Sequence, residues 1–124
     1  MTQCRGIRGA TTANDNTREA ILEATQELLE GLVEKNQIDQ ESVAAAIFST
    51  TPDLNAEFPA VAARTKLGWQ NIALFNTHEM SVPNDAPKCI RVLLLVNTDK
   101  APNELVNLYM RGAINLRARG TAQD

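Results

Sequence analysis

A chain of 124 residues with 44% apolar and 22% charged side chains has the length and make-up of one globular domain. Such a domain can bury a core without disulfide or metal staples. A net charge of −3 argues against a general nucleic-acid binder, which carries a basic face. No apolar run approaches the roughly 18 residues of a membrane span, and "MTQCRGIRGATT" at 1–12 lacks the apolar stretch of a signal peptide.

In chain order, "QCRGIRGATT" at 3–12 reads as a first strand. Gly6 and Gly9 within it mark a bulge or a close approach of ligand or backbone. "ANDN" at 13–16 is a turn. A helix then starts near Asn16 or Thr17, with Asn16 and Glu19 at capping-box spacing. Its apolar face is Ile21, Leu22, Leu28, Leu29, Leu32 and Val33, and Asn36 ends it. "VAAAIFST" at 43–50 is a second strand, although its alanines also suit a helix. "TPDLNAEF" at 51–58 is a loop. Pro59 suits the first position of a short helix, which Gly68 stops. "WQNIALFN" at 69–76 reads as a third strand, 77–88 as a loop rich in turn residues, and "CIRVLLLVNTD" at 89–99 as a fourth strand. Thr98 or Asp99 caps a last helix, with Pro102 in its first turn and Leu105, Val106, Leu108, Tyr109 and Ala113 on its apolar face. The pattern predicts one α/β (α+β) domain over 1–115, a mixed sheet with helices on one face, and a partly mobile tail over 116–124. The second sheet face is left to solvent or to other subunits, and the apolar fourth strand favours subunits.

The fourth strand carries a charge where none is expected. Alternation puts Cys89, Arg91, Leu93 and Leu95 on one face and Ile90, Val92, Leu94 and Val96 on the other. A guanidinium taken out of water needs a partner. The first strand repeats the oddity with Arg5 and Arg8, which point to opposite faces, and Glu79 lies beside the loop that leads into Arg91. Two arrangements remain open. Arg91 pairs with Glu79 while Arg8 reaches solvent, or the arginines form a site for a carboxylate, which guanidinium grips as a fork. No GxSxG, HExxH, P-loop or GxGxxG is present, His78 has no placed partner, and Ser49, Thr50 and Thr51 have no visible base. Cys4 and Cys89 have neither CxxC nor zinc spacing and read as free thiols of the cytoplasm. This inventory suits chemistry done by positioning and electrostatics alone.

"RGIRGATT" at 5–12, "TPDLNAEFPAVAAR" at 51–64, Glu79-Met80, "KCIRV" at 88–92, "NTD" at 97–99 and Leu108-Tyr109 resemble the monofunctional, homotrimeric chorismate mutases, from about Arg5 to Arg117. The resemblance implies rearrangement of chorismate to prephenate in aromatic amino-acid biosynthesis, with no cofactor and no covalent intermediate. It implies a homotrimeric pseudo-α/β barrel with sheets at the centre, active sites between subunits, and neither nucleic acid nor membrane as partner. On the same ground Arg91 faces the ether oxygen of the breaking bond, and Arg8 and Tyr109 hold carboxylates. Glu79 accepts a hydrogen bond from the ring hydroxyl. Phe58, Ala60 and Leu74 line the pocket, Arg64 stands at its mouth, and Leu116 and Arg117 belong to a tail that folds over it. Arg8, Glu79, Arg91 and Tyr109 come from one subunit, and Phe58, Ala60 and Arg64 from its neighbour. Asn76 stands where some relatives have cysteine, "LRARG" at 116–120 lacks the expected proline, and "PNDAPK" at 83–88 lacks the expected glycine turn. A trimeric protein that only binds a carboxylate metabolite, and a hydrolase of similar architecture, remain as alternatives.

Overall fold

A computed structural model describes residues 2–116. Strand β1 (Gln3–Thr12) leads into helix α1 (Arg18–Asn36), followed by β2 (Val43–Thr50), α2 (Ala60–Lys66), β3 (Ala73–His78), β4 (Cys89–Thr98) and a two-residue β5 (Leu108–Tyr109). The five strands form one mixed sheet in the order β3-β2-β4-β1-β5. β4 is antiparallel to both β1 and β2, while β3 and β5 run parallel to β2 and β1 at the edges. No described helix is long and apolar enough to cross a membrane.

The alternation along β4 sorts the two faces as the sequence predicts. Val92, Leu94 and Val96, with Ile7, Ala46 and Phe48, are buried against Leu28, Leu29 and Leu32 of α1 and Ala60 and Ala63 of α2. Close helix–sheet contact needs a missing side chain at Gly9, where a Cβ would stand 2.8 Å from Leu32 Cδ1. The opposite face carries Arg8, Leu93, Ile47 and Phe75 in one cross-strand row, and Gly6, Leu95, Ala45 and Ala73 in the next. No described helix covers it, and Phe75 is 63% exposed.

Helix α1 begins one residue later than the Asn16–Glu19 capping box proposes. Thr17 is the N-cap, its Oγ1 accepting from the Ala20 N–H at 3.1 Å. Asn16 instead ties down the loop at 51–58, its Oδ1 accepting from the Asn55 and Ala56 N–H groups and its Nδ2 donating to Asn55 Oδ1. Thr17→Ala is expected to lower unfolding free energy by about 1 kcal/mol, read from denaturant midpoints at constant slope. Pro59 is likewise one place earlier than predicted, at the N-cap of α2 rather than its first residue.

Two larger expectations fail. β3 begins at Ala73, not Trp69. After Gly68, in the left-handed region at φ 73°, the Trp69 N–H bonds Ala63 O and the Gln70 N–H bonds Gly68 O. Both donors are thus spent in a turn that drives the Trp69 ring into the core. The predicted last helix is not formed. Residues 99–116 run as a 3-10 turn (Pro102–Glu104), then β5, then a second 3-10 turn (Arg111–Ala113). Buried Asn36 is the cause: its side chain accepts from the Val106 N–H and donates to the Val106 carbonyl, replacing helical bonds there. Arg8 N–H bonds Asn107 Oδ1 at 2.8 Å, and Leu108–Tyr109 then pair with Gly9–Ala10. Leu108 packs over Gly31 of α1, where a Cβ would meet its Cδ2 at 2.6 Å.

Candidate active site

The uncovered sheet face opens into a cavity of about 450 Å³. Its floor is the β-sheet, through Ala10, Ile47, Ser49 and Leu93; Arg8, Glu79, Arg91, Tyr109 and Leu116 complete it. Register explains the gathering. Arg91 lies opposite Ala10 on one side and Ser49 on the other, and Ala10 is the partner of Tyr109. Arg8, two residues before Ala10, projects from the same face. Tyr109 and Leu116 pack on a small cluster of Ala10, Cys89 and Ala113.

Arg91 is the centre of the charge. Its Nη1 donates to Glu79 Oε2 at 3.3 Å and its Nη2 to Asp85 Oδ2 at 2.7 Å, while its Nε is buried with no partner among the described residues. The pairing with Glu79 foreseen from the sequence is therefore present, and the buried Nε–H lacks an acceptor among the described residues. Partial burial works against the charge. Cys89, ionised in the alkaline range where Arg91 would titrate, and the carboxylates of Asp85 and Glu79 outweigh it and hold the Arg91 pKa above its ordinary value. Burial pushes the Cys89 thiol up, against the opposing pull of Arg91, so it is a neutral thiol near neutrality. Glu79 is fixed where β3 ends: its N–H bonds Thr50 O at 2.7 Å and its Oε1 accepts from the Met80 N–H at 2.9 Å. The Arg8 guanidinium is exposed and has no ion-pair partner among the described residues.

A second cavity of about 370 Å³ is bounded by Asn55, Glu57, Phe58, Asn76 and His78. Phe58 is 63% exposed there. Asn76 Oδ1 accepts from the Ala60 N–H at 3.0 Å, capping α2 from the adjacent strand, which Pro59 cannot do with its own side chain. His78 is the last residue of β3 rather than part of the predicted 77–88 loop, and its Nδ1 lies 3.1 Å from Thr50 Oγ1 on the paired strand β2. Ala60 is buried in the core, Leu74 packs against that core from β3, and Arg64 is exposed on α2. Within one chain the structure thus brings Arg8, Glu79, Arg91, Tyr109 and Leu116 together, and sets Phe58 and Asn76 at a different cavity. Arg117 lies outside the described residues.

Asp85 was legible only as a turn residue; alternation cannot aim a side chain in a loop. Asp53 was missed altogether. It links the loop after β2 to the start of β4, its Oδ2 accepting from the Lys88 N–H and its Oδ1 from Thr51 Oγ1. Thr51 Oγ1 in turn accepts from the Cys89 N–H, so this chain of bonds fixes the strand end two residues before Arg91.

A mixed sheet with helices on one side, and on the other a pocket lined by Arg8, Arg91 and Glu79, define an α+β protein suited to holding an anion by electrostatics. The chorismate mutase type I family model matches residues 4–119, and the chain belongs to that family. It is 42% identical over 113 residues to the chorismate mutase AroH of Bacillus subtilis (strain 168), covering 91% of this chain and 89% of that protein. It is 46% identical over 114 residues to the chorismate mutase AroH of Thermus thermophilus, covering 91% and 93%. A chorismate mutase structure from Clostridium thermocellum superposes with a TM-score of 0.85 at 45% identity, covering 88% of this chain and 96% of that one.

Proposed function

We propose that this chain is an isomerase that rearranges chorismate to prephenate, in aromatic amino-acid biosynthesis, in the cavity around Arg91. The observation that carries the reading is a guanidinium rooted in a central strand, with one buried donor unpaired, facing a second arginine and a tyrosine across one pocket.

The reaction suits that inventory. One carbon–oxygen bond of the enolpyruvyl ether breaks as one carbon–carbon bond forms, within a single molecule. No proton is transferred and no covalent bond to the protein is made. Negative charge gathers on the ether oxygen in the transition state, so a fixed cation there stabilises that state more than the substrate. Arg91 takes this role. Arg8 and Tyr109 hold the carboxylates and fold the substrate into its reactive conformer. Glu79 accepts the ring hydroxyl and keeps Arg91 in place.

The active unit is proposed to be a homotrimer. Supporting this, no described helix covers the apolar face of β4 with Leu93 and Leu95, and Phe58 and Asn76 sit apart from Arg91. A neighbour packed on that face would bring its Phe58, Asn76 and exposed Arg64 towards this chain's Arg91, with Ala60 and Leu74 behind them in their own chain's core. Two free cysteines accord with a reducing compartment, the cytoplasm.

The test is direct. Purified protein mixed with chorismate should consume its ultraviolet absorbance and yield prephenate. Tight binding of a bicyclic dicarboxylate mimic of the transition state without turnover would make the protein a metabolite binder instead. Arg8→Ala should raise KM by about 10- to 100-fold, the worth of one charge-assisted carboxylate contact, measured from initial rates against chorismate concentration.

A further inference from the structure

Arg91 has two carboxylate partners, and only one of them faces the reaction cavity. Glu79 lines it; Asp85 does not, and belongs instead to a shallow hollow formed by the loop at 80–87 with Thr51, Pro52 and Asp53. Yet Asp85 makes the shorter contact, 2.7 Å against 3.3 Å, and its side chain is the more buried, 11% exposed against 30%. It is also well fixed. Its Oδ1 accepts from the Ala86 N–H at 2.9 Å, its own N–H bonds Val82 O at 3.2 Å, and Pro83 and Pro87 stiffen the chain on either side. This is the turn in which the sequence lacks the expected glycine.

We propose that Asp85 is a positioning residue for the rearrangement: it grips Arg91 Nη2 from outside the cavity and so holds the guanidinium plane in its reactive orientation. The inference rests on Arg91 acting as proposed above. Glu79 alone cannot fix that plane, since its 3.3 Å contact is long for a charged pair and its carboxylate is shared with the substrate hydroxyl. With one N–H of Nη2 tied to Asp85, the remaining N–H groups of the guanidinium are held at a fixed angle to an oxygen entering the cavity. A guanidinium held at one end only would swing within the pocket, and small misplacement of a catalytic group costs up to about 100-fold in rate.

The test compares the full-length wild type with Asp85→Ala and Asp85→Asn on chorismate. Expected is a fall in kcat of about 10- to 100-fold for Asp85→Ala with KM changed much less, and substantial recovery in Asp85→Asn, whose amide oxygen still accepts from Nη2. A role confined to loop stability would move melting temperature without that split or rescue. Unchanged kcat in Asp85→Ala, failure of Asp85→Asn to recover, or a gain in rate or affinity on removing the carboxylate each overturns the proposal. The last result would make Asp85 a competitor of the substrate. The nitrogen-15 NMR signal of the Arg91 Nε–H gives a readout independent of turnover: sharp in the wild type, broadened in Asp85→Ala, restored in Asp85→Asn. A wild type that turns over no chorismate defeats the functional reading, whereas an Arg91 signal indifferent to Asp85 defeats this one.

Discussion

Replacing Arg91 by alanine is expected to lower chorismate turnover by about a thousand-fold or more, the upper end of what one preorganised donor at a developing charge contributes. Two effects add. The guanidinium proposed to meet the ether oxygen is gone, and Glu79, which lines the cavity and had been paired with it at 3.3 Å, is left as a partly buried carboxylate facing a dicarboxylate substrate. Their repulsion should raise KM as well as lower kcat. Lysine at the same place restores charge but not the fork: an ammonium cannot hold Glu79, Asp85 and a substrate oxygen in one plane. Arg91→Lys should therefore recover only part of the rate. Steady-state kinetics on chorismate separates the outcomes, and near-normal kcat in Arg91→Ala would remove Arg91 from the centre of the mechanism. The sign of the pH dependence also follows. The Arg91 pKa is raised, so its protonated, active form persists as pH rises through neutrality. With no proton transferred in the reaction, the kcat profile of the wild type should be flat there.

Where one physical pattern dominates a segment, the sequence disclosed the structure. β1, β2 and β4 fall where alternation puts them, and α1 falls on its 3.6-residue stripe. The side of the sheet on which Arg91 stands followed from alternation, one residue away from the core-facing Val92. The errors arise where a tertiary bond overrides a local pattern. Leu105, Val106, Leu108 and Tyr109 have helical spacing, but Asn36, 70 residues away in sequence from Val106, takes both backbone groups of Val106. No local window contains that information. Trp69 looks like a strand residue, yet the left-handed Gly68 before it turns the chain into the core. The site divides the same way. Arg8, Glu79 and Arg91 stood out as charges at strand positions or ends, whereas the contact of Asp85 depends on loop geometry. Phe58 and Asn76, pointed to by family resemblance alone, lie at another cavity of the same chain, where only a second subunit would join them to Arg91.

That last point makes Leu95→Glu the other decisive variant. Leu95 lies on β4 between Gly6 and Ala45 in the row next to Phe75, Ile47 and Leu93, on the face without helices. It is half-buried and does not line the Arg91 cavity. A central strand apolar on both faces is characteristic of a sheet covered on both, and each leucine buried at such an interface contributes roughly 1.5–3 kcal/mol. A glutamate at each Leu95 of a trimer would replace that gain with three carboxylates brought together in an apolar centre. The helix side of the sheet, with its core of Val92, Leu94 and Val96 against α1, is untouched by the change. Leu95→Glu is therefore expected to keep its far-ultraviolet circular dichroism and sediment as a monomer. Its turnover should fall at least about 100-fold if, as proposed, the neighbour supplies substrate-positioning groups. A folded Leu95→Glu protein that is still trimeric and fully active would place the subunit contact elsewhere on the molecule. One that is monomeric and fully active would mean that Arg8, Glu79, Arg91 and Tyr109 suffice within a single chain.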